Sequence, residues 1–252
     1  SRPLEETLEA IVNLHGPHGW RRRAPFGLVK LTATPEKREP GAFRLRMADR
    51  NHPVLGKRLS ASKLAMLDRY GSDSARSFAD WALRFAGLAD GGPPGGRVAR
   101  RVGVVVNRVD LARRVFELLL EEAGDAAGVY LLTGRIRPLD RQRILEELAP
   151  FFAAPDRSQP EKPLILVATQ TVEVGADLDF DALVTEIAPL DSLRQRFGRL
   201  DRLGLIGETR AVILGPSGKE ERKKKTEIPP GRNWAALARL YGVAVVNTDD
   251  WL

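Results

Sequence analysis

Residues 164–202 read LILVATQTVEVGADLDFDALVTEIAPLDSLRQRFGRLDR. The opening run, Leu164 to Ala168, is short, apolar and β-branched, and Pro163 and Thr169 bound it. That pattern predicts a buried strand. A loop carrying Glu173, Gly175 and Asp177 follows, then a second buried strand near Ala182–Ile187, stopped by Pro189. Asp191 or Ser192 is the expected N-cap of a helix over 191–202. On that helix Leu190, Leu193, Phe197, Leu200 and Leu203 recur at intervals of three and four, which makes one apolar stripe. Gln195, Arg199 and Arg202 stand at i, i+4 and i+7 and share another face, nearly opposite the leucines at about 100° per residue. Taken alone, such arginines are solvated surface charges paired with Asp191 and Asp201, since exposed ion pairs are common and weak.

Outward from this stretch the chain alternates strand and helix. Val102–Val106 is an expected strand ending in Asn107, Asp110–Glu122 a helix, Val129–Leu132 a strand ending in Thr133-Gly134-Arg135, Leu139–Leu148 a helix, and Arg210–Leu214 a last strand. Alternation of this kind implies an α/β fold, a parallel sheet with helices on both faces. Asn107, Thr133 and Thr169 then line the carboxyl edge, where open α/β sheets bind ligands. Upstream, Leu4–Leu14 fits an amphipathic helix, Gly27–Leu31 a strand closed by Thr32-Ala33-Thr34-Pro35, Phe43–Met47 a half-exposed strand and Ala75–Phe85 a helix. Residues 36–95 are otherwise uninformative. The Gly91-Gly92-Pro93-Pro94-Gly95-Gly96 break marks the expected linker, which gives two parts, 1–90 and 91–252. Trp234–Tyr241 is an expected final helix.

With 252 residues and 43% hydrophobic composition, the chain can bury a sizeable core. It has no cysteine, which excludes disulfides and thiolate metal sites. No apolar run approaches the roughly 18 residues a membrane helix needs, so no membrane partner is expected, and a cytoplasmic location is the default. The net charge of +7 favours a polyanionic partner, nucleic acid first.

Thr169…Gly175-x-Asp177, followed by Gln195-Arg196-x-Gly198-Arg199-x-x-Arg202, resembles motifs V and VI of superfamily 2 helicases, and Thr32-Ala33-Thr34 resembles motif III. Together with Val105–Val109 and Leu132–Arg141, these stretches are similar to the helicase part of the CRISPR-associated helicase–nuclease of type I interference systems, over roughly residues 25–215. The resemblance implies a RecA-like second motor lobe preceded by the tail end of a first RecA-like lobe. It also implies an ATP-dependent DNA helicase with ATP and Mg2+ as cofactors, single-stranded DNA as partner, and a CRISPR guide-RNA effector complex in antiviral defence.

By the same resemblance Arg199 and Arg202 are the arginine fingers on the γ-phosphate, Gln195 sits by the phosphates, and Gly175 and Asp177 bind ATP, with Asp177 on the ribose hydroxyl. Asn107, Thr133, Arg135 and Thr169 contact the nucleic-acid backbone, and Thr32 and Thr34 couple nucleotide state to strand movement. The Gly-x-x-x-x-Gly-Lys-Ser/Thr loop, an Asp-Glu pair and an adjacent His-Asp are all absent from the sequence. The magnesium ligands and nuclease are therefore expected outside this chain, in a missing first motor lobe and nuclease domain, and the chain alone is expected to be inactive. An RNA helicase or DNA translocase of the same superfamily, and a non-catalytic nucleic-acid-binding module, remain alternatives.

Overall fold

The structure is a computed structural model that describes residues 46–153, 158–172 and 177–217, and the backbone of 245–246. Seven parallel strands form one sheet in the order β3-β4-β2-β5-β6-β1-β7. They are β1 (Ser62–Tyr70), β2 (Arg101–Val105), β3 (Gly128–Leu132), β4 (Leu164–Ala168), β5 (Ala182–Glu186), β6 (Glu208–Pro216) and β7 (Val245–Val246). The main helices are α1 (Ser74–Phe85), α2 (Val109–Ala123), α3 (Pro138–Phe152) and α4 (Leu190–Phe197). The expected strands and helices between residues 75 and 214 all appear, most within a residue or two of their expected bounds; α3 runs four residues further, to Phe152, and α4 stops at Phe197.

The central strands are buried at every position, and mostly apolar, because both sheet faces are covered. Side chains alternate along each strand. Val102, Val104, Ile165, Val167, Val184 and Val212 therefore face α1 and α2 in one core. Val105, Leu164, Leu166, Leu183 and Ile213 face α3 and α4 in a second core, with Phe152, Phe180 and Phe197. Gly103 sits where a larger residue would not fit, since a Cβ there would lie 2.9 Å from the Phe180 ring. The bare backbone lets Phe180 lie against β2 and meet Phe152 edge-on, with centroids 5.7 Å apart.

Three expectations change. The boundary at 90/91 does not hold, because β1 and α1 belong to the same sheet and core as the rest: β1 pairs with β6 from Ser62↔Glu208 to Tyr70↔Pro216. The Gly/Pro break is a turn between α1 and β2, and the compact unit holding every described element begins at Leu45. Of the half-exposed strand expected over 43–47, only Arg46 and Met47 are described, and Met47 opens a short helix, Met47–Arg50. The helix expected over 191–202 runs instead from Leu190 to Phe197, with Pro189 at its N-cap and Gly198 at its C-cap. Glycine is a poor helix former, and the chain beyond it makes a better set of contacts: Leu200 bridges Phe180 in parallel, and Asp201 turns left-handed at φ 40°. The first-lobe tail, Thr32, Thr34, Gly175 and the expected helices at 4–14 and 234–241 lie outside the described residues.

Candidate nucleotide and nucleic-acid site

Arg199 and Arg202 lie on a loop, not on a helix face. The loop runs along the amino end of β5. The Phe180 N–H donates to Arg199 O (2.7 Å), and Asp201 N–H donates to Phe180 O (2.9 Å). Two aspartates then fix it. The Asp179 carboxylate, fully buried, accepts the Arg202 backbone N–H at 2.8 Å. The Asp201 carboxylate, 1% exposed, accepts the N–H groups of Ile206 (3.1 Å) and Gly207 (3.0 Å). A turn that would otherwise leave amides unpaired is therefore satisfied from within.

This anchoring collects three of the expected residues. The Arg202 guanidinium pairs with the Asp177 carboxylate. Arg199 is half-buried beside them. Burial lowers its pKa from the ordinary arginine value, the neighbouring Arg202 lowers it further, and Asp177 opposes both. Two guanidiniums held near one carboxylate form a concentrated positive site, and a forked, permanently charged donor set of this kind fits phosphate oxygens. Gln195, on the last turn of α4, is partly exposed.

The expected nucleic-acid residues fall at the other end of the sheet, about 16 Å away by the rise of a five-residue strand. Thr133 and Thr169 follow β3 and β4, which pair up to Leu132↔Ala168, so they sit side by side on the carboxyl edge. Both are buried, at 4% and 6% exposed. Arg135 is exposed, in a turn closed by Ile136 N–H to Thr133 O (3.3 Å). Asn107 is employed differently from expectation. Its Nδ2 donates to Ile187 O (2.8 Å), its Oδ1 accepts from Arg196 (2.8 Å), and its N–H donates to the Glu186 carboxylate (2.6 Å). These bonds join the ends of β2 and β5.

Arg196, completely buried, is the residue that sequence reasoning passed over. Besides Asn107, it donates to Thr185 Oγ1 and Glu186 O, each at 3.0 Å. Its position was readable: it lies three residues after Leu193 and four before Leu200, on the apolar stripe itself. An arginine on such a stripe must bring its hydrogen-bond partners inside with it. Asp179 and Asp201 had no comparable mark. Among the described residues, no group of three or more His, Asp or Glu side chains is placed to hold a metal ion. Nor is any described helix long and apolar enough to cross a membrane.

An all-parallel sheet wrapped on both faces is the architecture of a RecA-like helicase lobe, and the chain fits a C-terminal lobe of the superfamily 2 kind. Within that class, residues 98–204 match the family of CRISPR-associated nuclease/helicase Cas3, C-terminal. The CRISPR-associated nuclease/helicase Cas3 of Methanothermobacter thermautotrophicus is 38% identical over 104 residues, covering 41% of this chain and 11% of that protein. The Haloferax volcanii Cas3 is 40% identical over 112 residues, covering 43% and 11%. The crystal structure of T. fusca Cas3-AMPPNP superposes with a TM-score of 0.51 at 25% identity, over 61% of this chain and 18% of that one. The chain thus matches about a tenth of the length of these curated relatives.

Proposed function

We propose that this chain is the second motor lobe of an ATP-dependent helicase that moves on single-stranded DNA in CRISPR interference. The observation that carries this reading is the gathering of Arg199 and Arg202 on one anchored loop, with Asp177 brought against Arg202 from the segment before β5. The relatives' names, nuclease/helicase, and the AMPPNP complex of the T. fusca protein support it. ATP would be cradled by the phosphate loop of another lobe, and this lobe would close on it. Arg199 and Arg202 then face the γ-phosphate and stabilise charge spreading over its equatorial oxygens. Asp177 receives the ribose hydroxyl. Thr133, Thr169 and above all the exposed Arg135 meet strand phosphates without reading bases. Magnesium ligands come from outside the described residues. In the cell the partner is a CRISPR guide-RNA effector complex and the location cytoplasmic.

The complete motor tests the substrate. ATP turnover should rise with single-stranded DNA and not with matched RNA. Binding should show little base preference, and each phosphate contact should contribute about 0.7 to the salt slope. Removing Arg135 should lower that slope by one such step. Stimulation by RNA alone would move the assignment to an RNA helicase, and salt-independent binding would remove the phosphate contacts.

Asp177→Ala in the same motor should raise KM for ATP by about tenfold while kcat changes less. The ribose lies away from the reacting phosphate, so its contact is similar in ground and transition states. Asp177 also neutralises Arg202, and losing it frees that guanidinium for phosphate, which further protects kcat. Steady-state ATPase separates the two constants. A fall in kcat at unchanged KM would make Asp177 a positioning group for Arg202 instead.

A further inference from the structure

Lys63 enters β1 at the amino end of the sheet, far in sequence from the arginine loop. Its ammonium nonetheless donates to Phe197 O at 2.8 Å, across 134 residues. Phe197 is the last residue of α4, and Gly198 and Arg199 follow it directly. A cation on a carbonyl at a helix C-terminus meets the negative end of the helix dipole. Asp179 and Asp201 act on the same ammonium electrostatically. These two acids hold the far side of the loop, through the N–H groups of Arg202, Ile206 and Gly207. Lys63 therefore stands among the groups that fix both ends of the segment 198–202.

We propose that Lys63 is a positioning residue for the arginine pair, fixing the point where the chain leaves α4 and so the place to which Arg199 and Arg202 are delivered. The inference rests on reading those arginines as ATP-facing groups. Stability alone does not account for the lysine. Burial lowers its pKa, and the attraction of Asp201 and Asp179 only partly opposes this. The unfolded chain thus holds the proton more tightly than the folded one. The charge costs folding free energy at neutral pH, and that cost lifts as pH rises from the lowered pKa toward the ordinary lysine value. A methionine would fill the space without that desolvation cost, though Asp179 and Asp201 would lose the lysine's countercharge. What it would not do is hold Phe197 O or lie between the two acids.

The test compares Lys63→Met, Lys63→Arg and Arg199→Ala in the complete motor, with single-stranded DNA saturating. Lys63→Met should lower kcat by about 10- to 100-fold, the scale of a misplaced catalytic group. KM for ATP should stay within about threefold, as for loss of a group that acts only in the transition state. The melting temperature should fall by only a few degrees, since Asp179 and Asp201 lose a countercharge but keep their backbone N–H partners. Lys63→Arg should recover most of the turnover, and the Nε–Hε resonances of Arg199 and Arg202 should shift in Lys63→Met. Normal kcat in Lys63→Met beside a dead Arg199→Ala overturns the lysine's role alone. A fall in kcat explained by unfolding, or not rescued by Lys63→Arg, overturns it as well. Near-normal turnover in Arg199→Ala overturns both this role and the finger assignment beneath it.

Discussion

Replacing Arg101 by alanine is expected to cost the fold about 3–5 kcal/mol, the usual penalty for breaking a buried ion pair by removing one partner. Arg101 is 2% exposed and lies at the first position of β2. Its guanidinium donates to the Asp181 carboxylate at 3.1 Å, to Phe151 O at 2.5 Å and to Ser158 O at 2.6 Å. One side chain thus ties the start of β5 and the last turn of α3 to β2. Alanine leaves a nearly buried carboxylate without its countercharge and two carbonyls without donors, in addition to a cavity. The backbone N–H groups of Arg100 and Arg101 still reach Asp181, each at 3.1 Å, which keeps the loss from going further. For a chain of this size the melting temperature should fall by about 6–20 °C. Arg101→Met should fall nearly as far, because the carboxylate stays uncompensated. Arg101→Met with Asp181→Leu should recover most of the loss, since an apolar pair of similar volume often matches a buried ion pair. Denaturant midpoints of the full chain measure all three. A loss under about 1 kcal/mol in Arg101→Ala would place the pair among ordinary surface bridges.

Which parts of the fold were legible in the sequence follows from how many faces each element buries. β2, β4 and β5 are covered on both sides, so apart from Arg101, Thr185 and Glu186 their runs are apolar and need no alternation to be recognised. β1 escaped. Its sequence, SKLAMLDRY, has neither a β-branched residue nor a clean alternation, and Ala, Leu, Met, Lys and Arg are all good helix formers. Tertiary pairing with β6 decides its state, and propensity cannot show that. α4 was read correctly on its apolar face and wrongly at its end. The stripe Leu193–Phe197–Leu200 is real, since all three are buried. Leu200, however, reaches the core from a strand-like bridge, and the same spacing serves both geometries. The site was approachable from the sequence where charged residues stand in a motif: Arg199, Arg202 and Asp177 are singled out there, and Arg202 meets Asp177. It was not legible where a polar side chain serves the backbone. Asn107 looked like a strand-end ligand but closes the β2–β5 edge. Asp201 read as a surface partner of the arginines and Asp179 drew no reading at all, yet both hold the arginine loop.

Arg199→Ala in the complete motor should lower ATP turnover by about 10³-fold or more, the scale of an arginine finger. A shared helix face cannot be the reason, because α4 ends before Arg199. The reason is the rigidity of the loop: the backbone at Arg199 is held by the Phe180 N–H, that at Asp201 by Phe180 O, and that at Arg202 by Asp179. A charged group on so fixed a backbone needs little reorganisation when charge develops on the phosphate, which is what electrostatic stabilisation requires. Arg199 is also partly desolvated, and that strengthens its interaction with an anion. Arg202, paired to Asp177, must exchange a carboxylate for a phosphate, so Arg202→Ala should lose less than Arg199→Ala. Lysine at 199 should rescue poorly, because a point charge cannot fork onto two oxygens. KM for ATP and affinity for single-stranded DNA should change far less than turnover, since the contact completes only when the lobes close. Arg199 has interactions of its own within the lobe, so the melting temperature must be read beside the rate. A fall of a few degrees with a thousandfold loss of turnover assigns the effect to chemistry. Near-normal turnover, or a loss that tracks unfolding, would return Arg199 to a structural role.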